Sequence, residues 1–149
     1  MVTTKKIKQL LQNLSIPEGT QPYYHTFLAI CFASEDPYSY VTRLNSDLYP
    51  EVAKCSNSSE QAVLLSIRQA IAHAFQNANK GFLRSLLKTP KNSPIAMCCE
   101  TVFIIRCCEY LEEHWSSTNI PLVSANFAET FLFFNLCSII IYTVIFFMY

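Results

Sequence analysis

The last nineteen residues, 131–149 (FLFFNLCSIIIYTVIFFMY), contain no charged side chain, no glycine and no proline. Coiled as an α-helix such a run extends about 28 Å at 1.5 Å per residue, close to the roughly 30 Å hydrocarbon core of a bilayer. It reads as a C-terminal transmembrane helix with Phe131 and Tyr149 at its ends, which divides the chain into a helical domain facing the cytosol (1–126) and an anchor (127–149). Asn135, Ser138 and Tyr142 fall at i, i+3 and i+7 on one face of that helix. Side chains so placed can hydrogen-bond between neighbouring anchors, which would make the protein a homo-oligomer. The competing reading of the run is the buried last helix of a bundle.

The rest of the chain is constrained by its turn residues. There are two glycines, Gly19 and Gly81, too few for β-hairpins, and seven prolines set between apolar stretches, as expected of helices that proline ends. An all-α fold follows. Ile7, Leu10, Leu11 and Leu14 line one face of a helix over 4–14, and 17–22 is a connector. Short apolar helices are expected over 23–32 and, between Pro37 and Pro50, over 38–48. Ser58 and Gln61 have the spacing of a capping box, after which Val63, Ile67, Ala70, Ile71, Ala74 and Phe75 share a face down to 77. A short segment over 81–88 closes at Thr89-Pro90. Ser93 then caps a helix beginning at Pro94. Over 95–115 this helix is apolar almost all round, with Arg106, Glu109 and Glu113 as a narrow polar strip, and such a helix belongs at the centre of a bundle.

Charge and reactive residues exclude several functions. Eleven basic and eleven acidic residues balance, so there is no concentrated basic field and nucleic acid is not an expected partner. Seven cysteines include the adjacent pairs Cys98-Cys99 and Cys107-Cys108, a spacing that makes no Cys-x-x-Cys clamp; reduced thiols and no metal are expected. His25, His73 and His114 lie far apart in sequence, and no glycine-rich loop or nucleophile motif accompanies them. Neither an enzyme nor a cofactor is expected.

Three groups of residues carry a resemblance to a known family. Tyr110-Leu111 with His114-Trp115 ends the apolar helix, an aromatic pair Phe127 and Phe131 follows after a loop, and Ser93-Pro94 stands at the helix start. Over 58–149 this layout resembles the Bcl-2 family, above all the divergent homologues of large DNA viruses such as iridoviruses. The family's BH1 motif has two candidate registers, Asn79-Lys80-Gly81-Phe82 with Arg84, or Thr89-Pro90-Lys91-Asn92, and Ser124-Ala125-Asn126-Phe127 stands where BH2 would be.

The resemblance implies a Bcl-2-like bundle and an anti-apoptotic protein that holds the BH3 helix of Bim-like or Bak/Bax-like pro-death proteins in a surface groove. Its membrane would be the mitochondrial outer membrane ahead of the endoplasmic reticulum. The groove residues would be Leu44, Leu48, Ile67, Ile71, Phe75, Asn79, Gly81, Phe82 and Arg84, with Arg84 taking the ligand's aspartate. The six apolar positions among them also read as core packing, and Arg84 as a solvated surface charge. Leu44-Asn45-Ser46-Asp47 has part of a BH3 motif itself, but Thr42 stands where the motif wants leucine. The alternative function is a tail-anchored, membrane-active or oligomerising scaffold unrelated to BH3 binding.

Overall fold

In a computed structural model of the protein the described residues are 4–35 and 43–116, and all regular structure among them is helical. The helices are α1 (Thr4–Asn13), α2 (Gln21–Glu35), α3 (Tyr49–Ser56), α4 (Glu60–Asn77), α5 (Lys80–Leu86) and α6 (Glu100–Ser116), with a π-helical turn at Leu44–Leu48 leading into α3. The all-α expectation holds for these residues. None of their helices is long and apolar enough to cross a membrane. The expected anchor, with Phe131, Asn135, Ser138, Tyr142 and Tyr149, and the boundary at 126 lie outside the described residues.

A chain with two glycines must end its helices by other means. Ser15, Asn57 and Lys88 take the left-handed conformation, at φ 57°, 51° and 53°. Each is followed by a residue whose N–H reaches back five positions: Ile16 to the Leu11 carbonyl at 3.1 Å, Ser58 to Ala53 at 2.9 Å and Thr89 to Arg84 at 3.0 Å. This is the Schellman closure, made here without glycine. Pro17 and Pro90 come directly after two of the three closures, where they block any resumption of the helix.

Other prolines start helices. Pro22 lies in the first turn of α2, and Pro50 in the first turn of α3, where the missing N–H costs nothing. The helix expected over 38–48 is therefore corrected: its described part is the π turn, which runs on through Pro50 into α3. The capping box is corrected as well. The α4 cap is Ser59, whose Oγ accepts from the Ala62 N–H at 3.2 Å, and Ala62 has no side-chain acceptor to complete a box.

The centre of the fold is α2. Tyr23, His25, Thr26, Ala29, Ile30 and Ala33 of this helix are buried, and it packs on α1, on α3 and, most extensively, on α4. Ala29, Ala33, Ala70 and Ala74 are fully buried, and such small side chains let the α2 and α4 axes come close. The central helix expected over 95–115 is not present in that form. Residues 94–99 are not helical, Ser93 caps nothing, and α6 begins only at Glu100. Instead the Arg84 guanidinium donates to the carbonyls of Pro90 and Ser93, holding the segment after α5 in an open turn. α6 buries Phe103, Ile104, Cys107, Cys108 and Leu111 along one side and leaves Val102 exposed.

Candidate nucleic-acid interface

The segment from α3 to α4 is a helix-turn-helix. α3 stops at Asn57, one of the few residues that tolerate the left-handed region, and Ser59 starts α4, so only Asn57, Ser58 and Ser59 lie between the two helices. The turn is tied to the core through Ser58. Its Oγ donates to the Ser56 carbonyl at 3.3 Å and accepts from Nε2 of His25 at 3.2 Å. His25 is 1% exposed and its Nδ1 is buried without a hydrogen-bond partner, so the ring is held as the neutral Nε2–H tautomer. Burial accordingly lowers the His25 pKa, since a proton on Nδ1 would meet no acceptor. The turn is thus fixed from below by α2.

α4 has two unlike faces. Val63, Ser66, Ile67, Ala70, Ile71 and Ala74 are buried against the core. Gln61, Leu65, Arg68, Gln69 and Gln76 are exposed on the opposite arc. Arg68 donates from Nε to a carboxylate oxygen of Glu100 at the start of α6. Burial pushes the Glu100 carboxyl up, but the hydrogen bond and charge of Arg68 outweigh this and leave it below the usual carboxylate range. The pair cancels the one cationic charge on α4. Lys54 on α3 remains an exposed cation one turn before the helix-turn-helix bend.

The nine residues expected to line a groove have other, separate roles where the structure describes them. Leu48, Ile67 and Ile71 are 0, 0 and 3% exposed and belong to the core, and Phe75 is half-buried against it. Leu44 begins the π turn. Asn79 is the α5 cap: its Oδ1 accepts from the N–H groups of Gly81 at 2.8 Å and Phe82 at 3.1 Å. A Cβ on Gly81 would stand 3.1 Å from that oxygen, so the Asn-x-Gly pattern is explained by the cap. Phe82 sets its ring edge-on to Tyr110 at 5.4 Å, and Arg84 is occupied by backbone carbonyls. Thr89 to Asn92, the second register, form the turn that Arg84 holds.

Other expected features are placed as follows. Cys31, Cys55, Cys98, Cys99, Cys107 and Cys108 are free thiols. Burial pushes the Cys107 thiol well up and those of Cys31 and Cys108 up to about 11, so these three stay protonated at neutral pH. Among the described residues no group of three or more His, Cys, Asp or Glu could hold a metal ion. Tyr110 stacks on His114 at 3.8 Å, a contact within the last turns of α6. Leu65, Gln69 and Gln76 are not among the residues expected from sequence, and Gln61 was expected only as part of a capping box. The available signal was two helical stretches parted by Asn57-Ser58-Ser59, the second with a polar arc.

Residues 7–111, more than two thirds of the chain, match the family described as sporulation initiation factor Spo0A, C terminal. No curated protein sequence matches the chain. The family match runs from α1 into the last turns of α6 and overturns the Bcl-2 resemblance, which rested on an order of apolar helices common to many bundles. The Tyr110 to His114 pattern that supported it is a helix-end stacking contact. The anti-apoptotic function, the Bim-like and Bak/Bax-like BH3 partners and the mitochondrial outer-membrane address fall with it. The tail-anchored scaffold rested on 131–149, which lie outside both the match and the described residues. The exclusion of nucleic acid is also withdrawn: net charge gauges attraction to phosphates, whereas base edges can also be read by neutral side chains. By the extent of its match, the chain belongs to the Spo0A C-terminal family.

Proposed function

We propose that this domain binds duplex DNA as the recognition part of a transcription regulator, with α4 lying in the major groove. The observation that carries the proposal is the three-residue turn fixed by Asn57, Ser58 and His25, followed by a capped α4 with one face free of packing. Membership of a family described by a sporulation initiation factor supports it. In helix-turn-helix proteins the second helix meets base edges with its N-terminal residues while the first crosses the backbone. Here those roles fall to Gln61, Leu65 and Gln69 on α4, and to Lys54 on α3 as a phosphate contact.

The charge balance shapes what such binding looks like. Sequence-independent affinity scales with the number of phosphates neutralised, and a domain with Arg68 already paired has few cations to offer. Discrimination between sequences then has to come from the bases. The test is to titrate full-length protein with pooled random duplexes and to select from the pool. Weak pooled binding that falls with salt, and enrichment of one defined sequence, are the expected results. Enrichment of no duplex even at low salt would overturn the proposal. Leu65→Glu, a change on the exposed arc, should abolish the enriched binding while the helical circular dichroism is retained.

A further inference from the structure

We infer that the site read by α4 is built on A·T pairs, with adenines taken by Gln61 and Gln69 and a thymine methyl packed against Leu65 between them. This rests on the DNA-binding reading above. The commonest specific contact to guanine is an Arg or Lys on O6 and N7, and it needs an unengaged cation. α4 contains a single cationic residue, Arg68, and its Nε donates to Glu100, so the one guanidinium of the helix is shared with an acid of α6 while three neighbouring exposed positions are uncharged. What the exposed arc offers instead is carboxamides. A glutamine side chain pairs bidentately with N6 and N7 of adenine, giving one acceptor and one donor to a base that presents the complement.

The spacing fits a short run of bases. Gln61, Leu65 and Gln69 follow at i, i+4 and i+8, so all three lie along one line of the exposed arc. Eight residues of helix rise about 12 Å, which is three to four base steps at roughly 3.4 Å each. Leu65 is 47% exposed and contributes nothing to the core cluster. An apolar side chain left in water between two amides matches the one apolar group of the major groove, the C5-methyl of thymine. Gln76 lies almost two turns beyond Gln69, away from the N-terminal end of the helix that approaches the bases most closely.

The experiment is selection of a duplex by full-length protein followed by substitution of every base pair in the selected site. Two A·T pairs three to four steps apart are expected, each preferred over G·C by about tenfold. Gln61→Ala should flatten the preference at one of them and Gln69→Ala at the other. Replacing the intervening thymine by uracil, which lacks the methyl, should weaken the wild-type complex and leave Leu65→Ala unaffected. G·C pairs selected at both positions, or unchanged base preferences in both glutamine variants, would overturn the inference while DNA binding stands. Recovery of no duplex at all would overturn DNA binding with it.

Discussion

The two faces of α4 share eighteen residues of sequence and answer to different constraints. On the inner face the apolar side chains are chosen by volume, since Ala70 and Ala74 admit α2 and Val63, Ile67 and Ile71 fill the space around it. On the outer face volume decides nothing, and Gln61, Leu65, Arg68 and Gln69 differ in what they can bind. The inner face therefore reports the fold and the outer face the function. A sequence search for apolar periodicity sees the first and passes over the second, which is why the groove residues nominated from sequence included Ile67 and Ile71, both core.

The sharpest way to break this comparison is to exchange effects between the faces. Ile67→Ala should destabilise the domain by about 2–5 kcal/mol, through lost transfer energy and the cavity left behind, whereas Gln69→Ala should change stability by less than about 0.5 kcal/mol. Urea unfolding of both variants measures this. Similar losses in the two would mean that the outer arc is packed after all.

The turn before α4 also carries a pH dependence, through His25 of α2. His25 is held neutral, its pKa lowered by burial, so the unfolded chain binds its proton more readily than the folded one. Stability from this group is fully present above about pH 6.5 and is lost as pH falls through that value towards the lower folded pKa. Unfolding midpoints measured across this range should fall on acidification, and His25→Gln should flatten the fall. An unchanged slope in His25→Gln would show that the turn is not the sensitive element.

Two changes at the junctions of α4 sharpen the contrast further. Ser59→Ala removes the side-chain acceptor from the first turn and should cost about 1 kcal/mol without altering base preference. Glu100→Gln releases Arg68 and should raise affinity for DNA severalfold at low salt, with a salt slope steeper by up to about 0.9 as one more phosphate is engaged. No gain in affinity or slope would mean that Arg68 does not face the DNA. The smallest effect is expected at Ser15→Gly, which relieves a left-handed serine at the α1 terminus and should stabilise by a few tenths of a kcal/mol, read as a small rise in melting temperature.

Much of the local structure was legible in sequence because its causes are local. The heptad-like spacing of Ile7, Leu10, Leu11 and Leu14 gave α1, and Val63 to Ala74 gave α4 its buried stripe, since side-chain period and backbone period are the same physical fact. The scarcity of glycine excluded hairpins for the same reason. Proline was less informative: its missing N–H is harmless in a first turn and disruptive elsewhere, so Pro50 could as well begin α3 as end its predecessor. Ser58 and Ser59 could each have capped α4, and the choice fell to His25, thirty-three residues earlier in the chain, which engages Ser58 from the core.

The order of apolar helices was determined by the sequence, and their arrangement was not. Residues 95–115 are greasy enough to be central, yet α2 holds that place, because closeness of packing depends on which helices carry small residues where their axes cross. Arg84 illustrates the same division. Its charge is fixed by its chemistry, but whether that charge meets a ligand, solvent or the carbonyls of Pro90 and Ser93 is decided only when the turn after α5 brings those carbonyls to it. Composition and period act over one turn of helix; the partners of a side chain are set by contacts between distant parts of the chain, and those exist only in the folded structure.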